Sequence, residues 1–163
     1  MKNLYKICLI LTLAIGFSGT ATAQKTGTTK YKCMVQMTNY IGEGAYVVVS
    51  LIDPKGAYEK TLYVIGSEKK WYPDLKEWHK FHKKKPANLT AITGESIQGG
   101  DRSVVAIELE NSKIDSGYSL RFESAVENQN YHTKDLEFKL TAENVAGKNE
   151  GTGYIRYVRL IAN

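Results

Sequence analysis

The chain has little cysteine, little proline and no long apolar run after its first residues. Two cysteines, Cys8 and Cys33, stand among 163 residues. Cys8 falls in a segment with the features of an export leader. Lys2 and Lys6 give a positive start, residues 7–17 form an apolar run too short to span a bilayer, and Ala21-Thr22-Ala23 offers small-residue cleavage. Cleavage before Gln24 leaves Cys33 alone. A lone cysteine excludes an internal disulfide and a cysteine-based zinc site. Cys33 alternates with Val35 and Met37 against Lys32, Gln36 and Thr38, a pattern that predicts a buried thiol. No later apolar stretch reads as a membrane span, so the expected product is exported to the periplasm or beyond, with no transmembrane segment in the mature chain.

Catalytic patterns are also missing. There is no Gly-x-Ser-x-Gly elbow, and Gly94-Glu95-Ser96 and Gly99-Gly100-Asp101-Arg102 read as turns rather than phosphate loops. Removing Lys2 and Lys6 with the leader lowers the formal charge from +5 to +3. So modest a charge argues against a nucleic-acid binder. The sequence implies no cofactor.

The 163 − 23 = 140 residues that remain suit one domain. Residues 24–30, rich in Thr, Gly and Lys, read as a flexible segment, and 31–163 as a single domain. Period-two patterns predict strands near 31–38, 45–52, 58–65, 104–110, 118–126, 136–140 and 154–161. Residues 45–52 are apolar on both faces, as a central strand should be. In 118–126, Tyr118, Leu120, Phe122 and Val126 read as inward, against Ser119, Arg121, Glu123 and Ala125. About seven strands joined mostly by short turns predict an all-β, two-sheet antiparallel β-sandwich.

One segment departs from this pattern. Residues 71–86 hold both tryptophans and two of the three histidines, and predict a short inserted α-helix over about 74–85. Asp74 is placed as its N-cap with Glu77 three residues on, Lys83, Lys84 and Lys85 occupy its last turn, and Pro86 stops it. Leu75, Trp78, Phe81 and His82 share an apolar arc. The expected role is a lid over one open end of the sandwich. The sharper reading is a binding surface made of Trp71, Tyr72, Lys76, His79, Lys80, Lys83, Lys84 and His132, for a protein partner or a small anionic ligand. His79 and His82 diverge by roughly 60° on the helix, so a metal would need His79 and His132 to converge. They are weak metal candidates, and no metal site is assigned.

Four segments carry a family resemblance: 46–53 (YVVVSLID), 71–78 (WYPDLKEW), 91–96 (AITGES) and 115–123 (DSGYSLRFE). Their order and spacing over about residues 30–162 resemble a family of predicted periplasmic bacterial proteins of unknown function, distantly like the sandwich domain of the flagellar hook-capping protein. The resemblance implies an immunoglobulin-like sandwich and no known activity. Genes of such proteins often lie near membrane flavin-reductase-like proteins and iron-uptake receptors, which implies service to iron or haem acquisition. Many members carry a Trp-Asp-Gly turn where this chain has Ile107-Glu108-Leu109, which weakens the hook-capping link. The functional expectation is a non-catalytic exported binding or interaction module. The alternatives are a structural surface-assembly protein that uses its sandwich edges, and an enzyme of unidentified class.

Overall fold

The computed structural model describes residues 26–163; the expected leader, 1–23, lies outside them. The chain folds as β1 (Thr28–Met37), β2 (Tyr46–Ile52), β3 (Tyr58–Ile65), a 3-10 turn (Lys69–Asp74), helix α1 (Lys76–Lys84), β4 (Thr93–Gly94) and β5 (Arg102–Glu110), then a second 3-10 turn (Asn111–Lys113), β6 (Ser119–Ala125), β7 (Tyr131–Lys139), helix α2 (Ala142–Ala146), β8 (Lys148–Glu150) and β9 (Ile155–Ala162). A four-stranded sheet of order β5-β1-β9-β8 faces a five-stranded sheet of order β4-β3-β2-β6-β7. All pairs are antiparallel except β3 with β4. The two-sheet sandwich predicted from the alternation is therefore the fold.

The inner faces meet along the residues that the period of two selects. Cys33, Val35 and Met37 from β1, Val47, Val49 and Leu51 from β2, and Leu120 and Phe122 from β6 are all buried in the main core. Burial pushes the Cys33 thiol up to about 12, which keeps it protonated and unreactive.

Several boundaries differ from the sequence pattern. β1 begins at Thr28, paired with Glu110, so residues 28–30 are strand rather than a flexible lead. β4, β8 and α2 are too short to leave a periodic signal. β7 begins at Tyr131, because Ser124 and Ala125 pair with His132 and Tyr131 past a register shift.

The largest difference lies outside the main core. The outer face of the five-stranded sheet is not solvated. Val48, Val64 and Ala125 form a second apolar cluster with Tyr72, Leu75, Trp78 and Leu89. The helix therefore lies across a sheet face and does not cap an open end. β2 is apolar on both faces for this reason, and every residue of β6 is buried, including Ser119, Arg121 and Glu123.

Candidate functional site

The segment that carries the site starts where β3 ends. Gly66 has φ 122, and a Cβ there would stand 2.1 Å from the Tyr46 ring, so only glycine allows the chain to turn this close to β2. The Gly66 carbonyl accepts the Tyr72 hydroxyl at 3.1 Å. Tyr72 and Leu75 are buried, and these two anchors hold the 3-10 turn against the sheet. Trp71, just before the first anchor, stays half-exposed, and Asp74, between the two, is exposed.

Helix α1 begins at Lys76 and lacks a side-chain cap of its own. Asp74 lies inside the 3-10 turn and does not act as the N-cap. The turn bonds the Leu75 N–H to the Tyr72 carbonyl, which leaves Asp74 no capping geometry. Capping comes from the sheet beneath. The Glu77 N–H donates to the Tyr131 hydroxyl at 3.0 Å, and the Trp78 N–H donates to Glu123 at 3.3 Å. A carboxylate under the first turn also meets the positive end of the helix dipole.

Glu123 is fully buried and also accepts the hydroxyls of Tyr58, at 2.6 Å, and Tyr131. Burial raises its carboxyl above the ordinary range, while the two tyrosines, the Trp78 N–H and Arg121 pull the other way. Burial and the neighbouring carboxylate raise both phenols, so they remain donors. The folded value for Glu123 lies above the unfolded one. The native state then binds the proton more tightly, and stability falls as pH rises through the window above 4.5. Glu123→Gln is expected to cost about 1–3 kcal/mol near pH 4, by turning an amide donor toward other donors. That deficit should shrink toward neutral pH, where only the wild type buries a charge. Urea unfolding of both proteins across this range checks it; a deficit that widens with pH contradicts the assignment.

Trp78 is fully buried. Its indole N–H donates to Thr61 at 2.9 Å, and its ring packs edge-on to Tyr72 and stacks on His82 at 4.9 Å. His82 is thus a packing residue, as its place on the apolar arc suggests. His79 is half-exposed. Both imidazoles are lowered by desolvation, His79 further by Lys83 and His82 further by His79 and Lys69.

The convergence of His79 and His132 that a metal would need does not occur. Tyr131 reaches the helix from the outer face of its sheet, so His132, the next residue on β7, faces the other way. Its ring lies 5.0 Å from Tyr154, on the side of the opposite sheet. Among the described residues, no group of three or more His, Cys, Asp or Glu side chains is placed to hold a metal ion.

A groove of about 470 Å³ runs between Trp71, Asp74 and Lys76 on one side and the 127–131 turn on the other. It adjoins a cleft of about 190 Å³ that reaches Glu43, Tyr46, Glu68 and Lys70 and shares Trp71, Asp74 and Glu127. Both walls are braced. Asn128 takes φ 58, and the Gln129 side chain donates to the Ile41 carbonyl at 2.8 Å. The Tyr154 hydroxyl accepts the Asn130 N–H at 3.0 Å. Lys70 pairs with Glu68 at 2.7 Å and lies over the Trp71 ring.

Of the residues proposed for binding, Trp71 and Lys76 line this groove. Tyr72 is core. Lys80 pairs with Glu77 at 2.7 Å on the helix surface. Lys83 and Lys84 are exposed and line neither the groove nor the cleft. The sequence reading did not single out Glu43, Tyr46, Glu68 or Glu127 for the site. Each looks like an ordinary strand or turn residue until the chain brings three distant segments together.

Comparison with curated proteins gave no match, and comparison with solved structures gave none. Among the described residues, no helix is long and apolar enough to cross a membrane. A family model, by contrast, matches most of the described chain, from β1 into β9. The chain belongs to the family described as predicted periplasmic protein (DUF2271), whose model matches residues 28–157.

Proposed function

We propose that this protein is a non-catalytic periplasmic interaction module whose groove beside Trp71 receives a segment of a partner protein. The observation that carries this reading is the preformed groove between the 3-10 turn and the 127–131 turn, with an aromatic ring in one wall and both walls braced by the core. Grooves with a few convergent polar groups around an aromatic anchor are the usual form of such sites. The lining of groove and cleft carries the carboxylates of Glu43, Glu68, Asp74 and Glu127 against the ammonium groups of Lys70 and Lys76. This balance favours a protein segment with a basic or amide-rich contact over a small anion.

A photo-crosslinking residue at position 71, in cells that export the protein, tests the reading. The expected product is a discrete adduct absent when the same residue replaces Lys32 on the opposite sheet. Trp71→Ala should abolish partner capture while changing stability by no more than about 0.5 kcal/mol. Equal adducts at both positions would remove the groove as the contact. Service to iron or haem acquisition, which the family resemblance implies, is the finer reading. It requires expression to rise under iron starvation, and flat expression would count against it. A second reading is assembly through sandwich edges. One observation favours it: among the described residues, β5 ends its sheet with no strand beyond.

A further inference from the structure

Among the described residues, β5 is an open edge of its sheet. It pairs with β1 from Thr28↔Glu110 to Gln36↔Arg102 without a register shift, and its nine residues contain no proline. Edges in natural sheets are commonly shortened, bulged or interrupted by proline to prevent pairing with another chain. β5 shows none of these three devices, and its outward charges, Arg102, Glu108 and Glu110, are of both signs.

Its hydrogen-bonding parity can be read directly. The Met37 N–H donates to the Asp101 carbonyl at 3.0 Å, and the Asn111 N–H donates to the Gly27 carbonyl at 2.9 Å. In an antiparallel ladder, alternate residues turn both backbone groups to the same side. The odd-numbered residues therefore bond to β1, and Arg102, Val104, Ala106, Glu108 and Glu110 turn their N–H and C=O groups outward. The side chains of these five are exposed, Val104 to 57%. The other face, with Val105, Ile107 and Leu109, is core.

We propose that β5 is a homodimerisation edge, pairing antiparallel with β5 of a second copy about a two-fold axis through Ala106. In that register Arg102 stands opposite Glu110, Val104 opposite Glu108, and Ala106 opposite itself. Every outward N–H and C=O of both strands finds a partner. Arg102 and Glu110 form an opposite-charge pair twice, once on each side of the axis. Glu108 already has its counter-ion, Lys30, at 3.3 Å. Moving the axis to Glu108 sets that carboxylate against its own copy. Moving it to Val104 leaves Glu108 and Glu110 beyond the ladder. An axis at Val105 sets Arg102 opposite Glu108 but leaves Glu110 beyond the ladder, so full pairing and charge together select the axis at Ala106, and the dimer joins two four-stranded sheets into one.

Sedimentation equilibrium on the exported protein tests this. The wild type should be a dimer. Arg102→Glu places like charges opposite each other at both ends, and should weaken dimerisation roughly tenfold to a hundredfold. Adding Glu110→Arg to Arg102→Glu restores the opposite-charge pairs and should return the wild-type affinity. Far-ultraviolet circular dichroism confirms that each variant is folded. A wild type that stays monomeric at the highest concentration it tolerates overturns the proposal. So does a dimer indifferent to Arg102→Glu, or a folded charge-swapped protein that fails to recover.

Discussion

Trp78→Ala is expected to lower the unfolding free energy by about 4 kcal/mol. Trp78 is the largest fully buried side chain. Its loss removes the packing against Tyr72 and His82 and leaves the Thr61 hydroxyl without its indole donor. A nine-residue helix has too little intrinsic stability to hold its place alone. We expect α1 to come away from the sheet, exposing Val48, Val64 and Ala125 and opening the groove wall. Trp78→Phe keeps most of the packing and loses the hydrogen bond, so it should cost about 1–2 kcal/mol. Urea unfolding followed by circular dichroism measures both. The sole remaining tryptophan, Trp71, reports the groove by its fluorescence. A loss under about 1 kcal/mol for Trp78→Ala would show that the helix is held elsewhere.

Asp135→Ala should be of comparable size, about 4 kcal/mol, for a different reason. Asp135 is fully buried on β7, and its carboxylate accepts the Ser124 hydroxyl together with four backbone N–H groups. Those of Thr152, Gly153, Tyr154 and Ile155 lie at 3.2, 2.7, 2.8 and 3.0 Å. β7 lies in the five-stranded sheet and β9 in the four-stranded one, so this carboxylate ties the two together. Alanine would orphan buried donors that no strand can reach. A Cβ on Gly153 would stand 2.7 Å from the His132 ring and 3.0 Å from Asp135, so the close approach also depends on glycine. The effect should extend to the groove, because Tyr154 holds the 127–131 turn through Asn130 and Gln129. Hydrogen exchange at residues 152–155 and 130 checks the coupling. Fast exchange at 152–155 with residue 130 unchanged would separate the sheet tie from the groove wall.

The residues behind these two predictions show how much a reader of the sequence could reach. Trp78 was legible: a helix with Leu75, Trp78, Phe81 and His82 on one arc must bury that arc. Asp135 was not. It stands between Lys134 and Leu136 in an ordinary alternating strand, and its partners lie 11 to 20 positions away. Glu123 falls opposite Leu120 and Phe122 in the alternation of its strand. Alternation correctly placed it on the other face of β6. It could not say that a helix covers that face. The aromatic segment drew attention to Trp71 and Lys76, but the acidic half of the groove comes from Glu43, Glu68 and Glu127, which share no local pattern.

The sequence by itself determined the sandwich, the inner faces of its long strands, the buried Cys33 and the presence of one amphipathic helix. Each follows from a period of two or 3.6 residues, and a period records which side chains share a face. The tertiary structure alone decided what covers each face. It laid α1 across the outer sheet, capped the helix with Glu123 and Tyr131 in place of Asp74, turned His132 away from His79, and left the edge of β5 open. Trp78 and Glu123 are 45 positions apart, and hydrogen bonds over such separations leave no trace in local periodicity. They form only when packing brings the elements together.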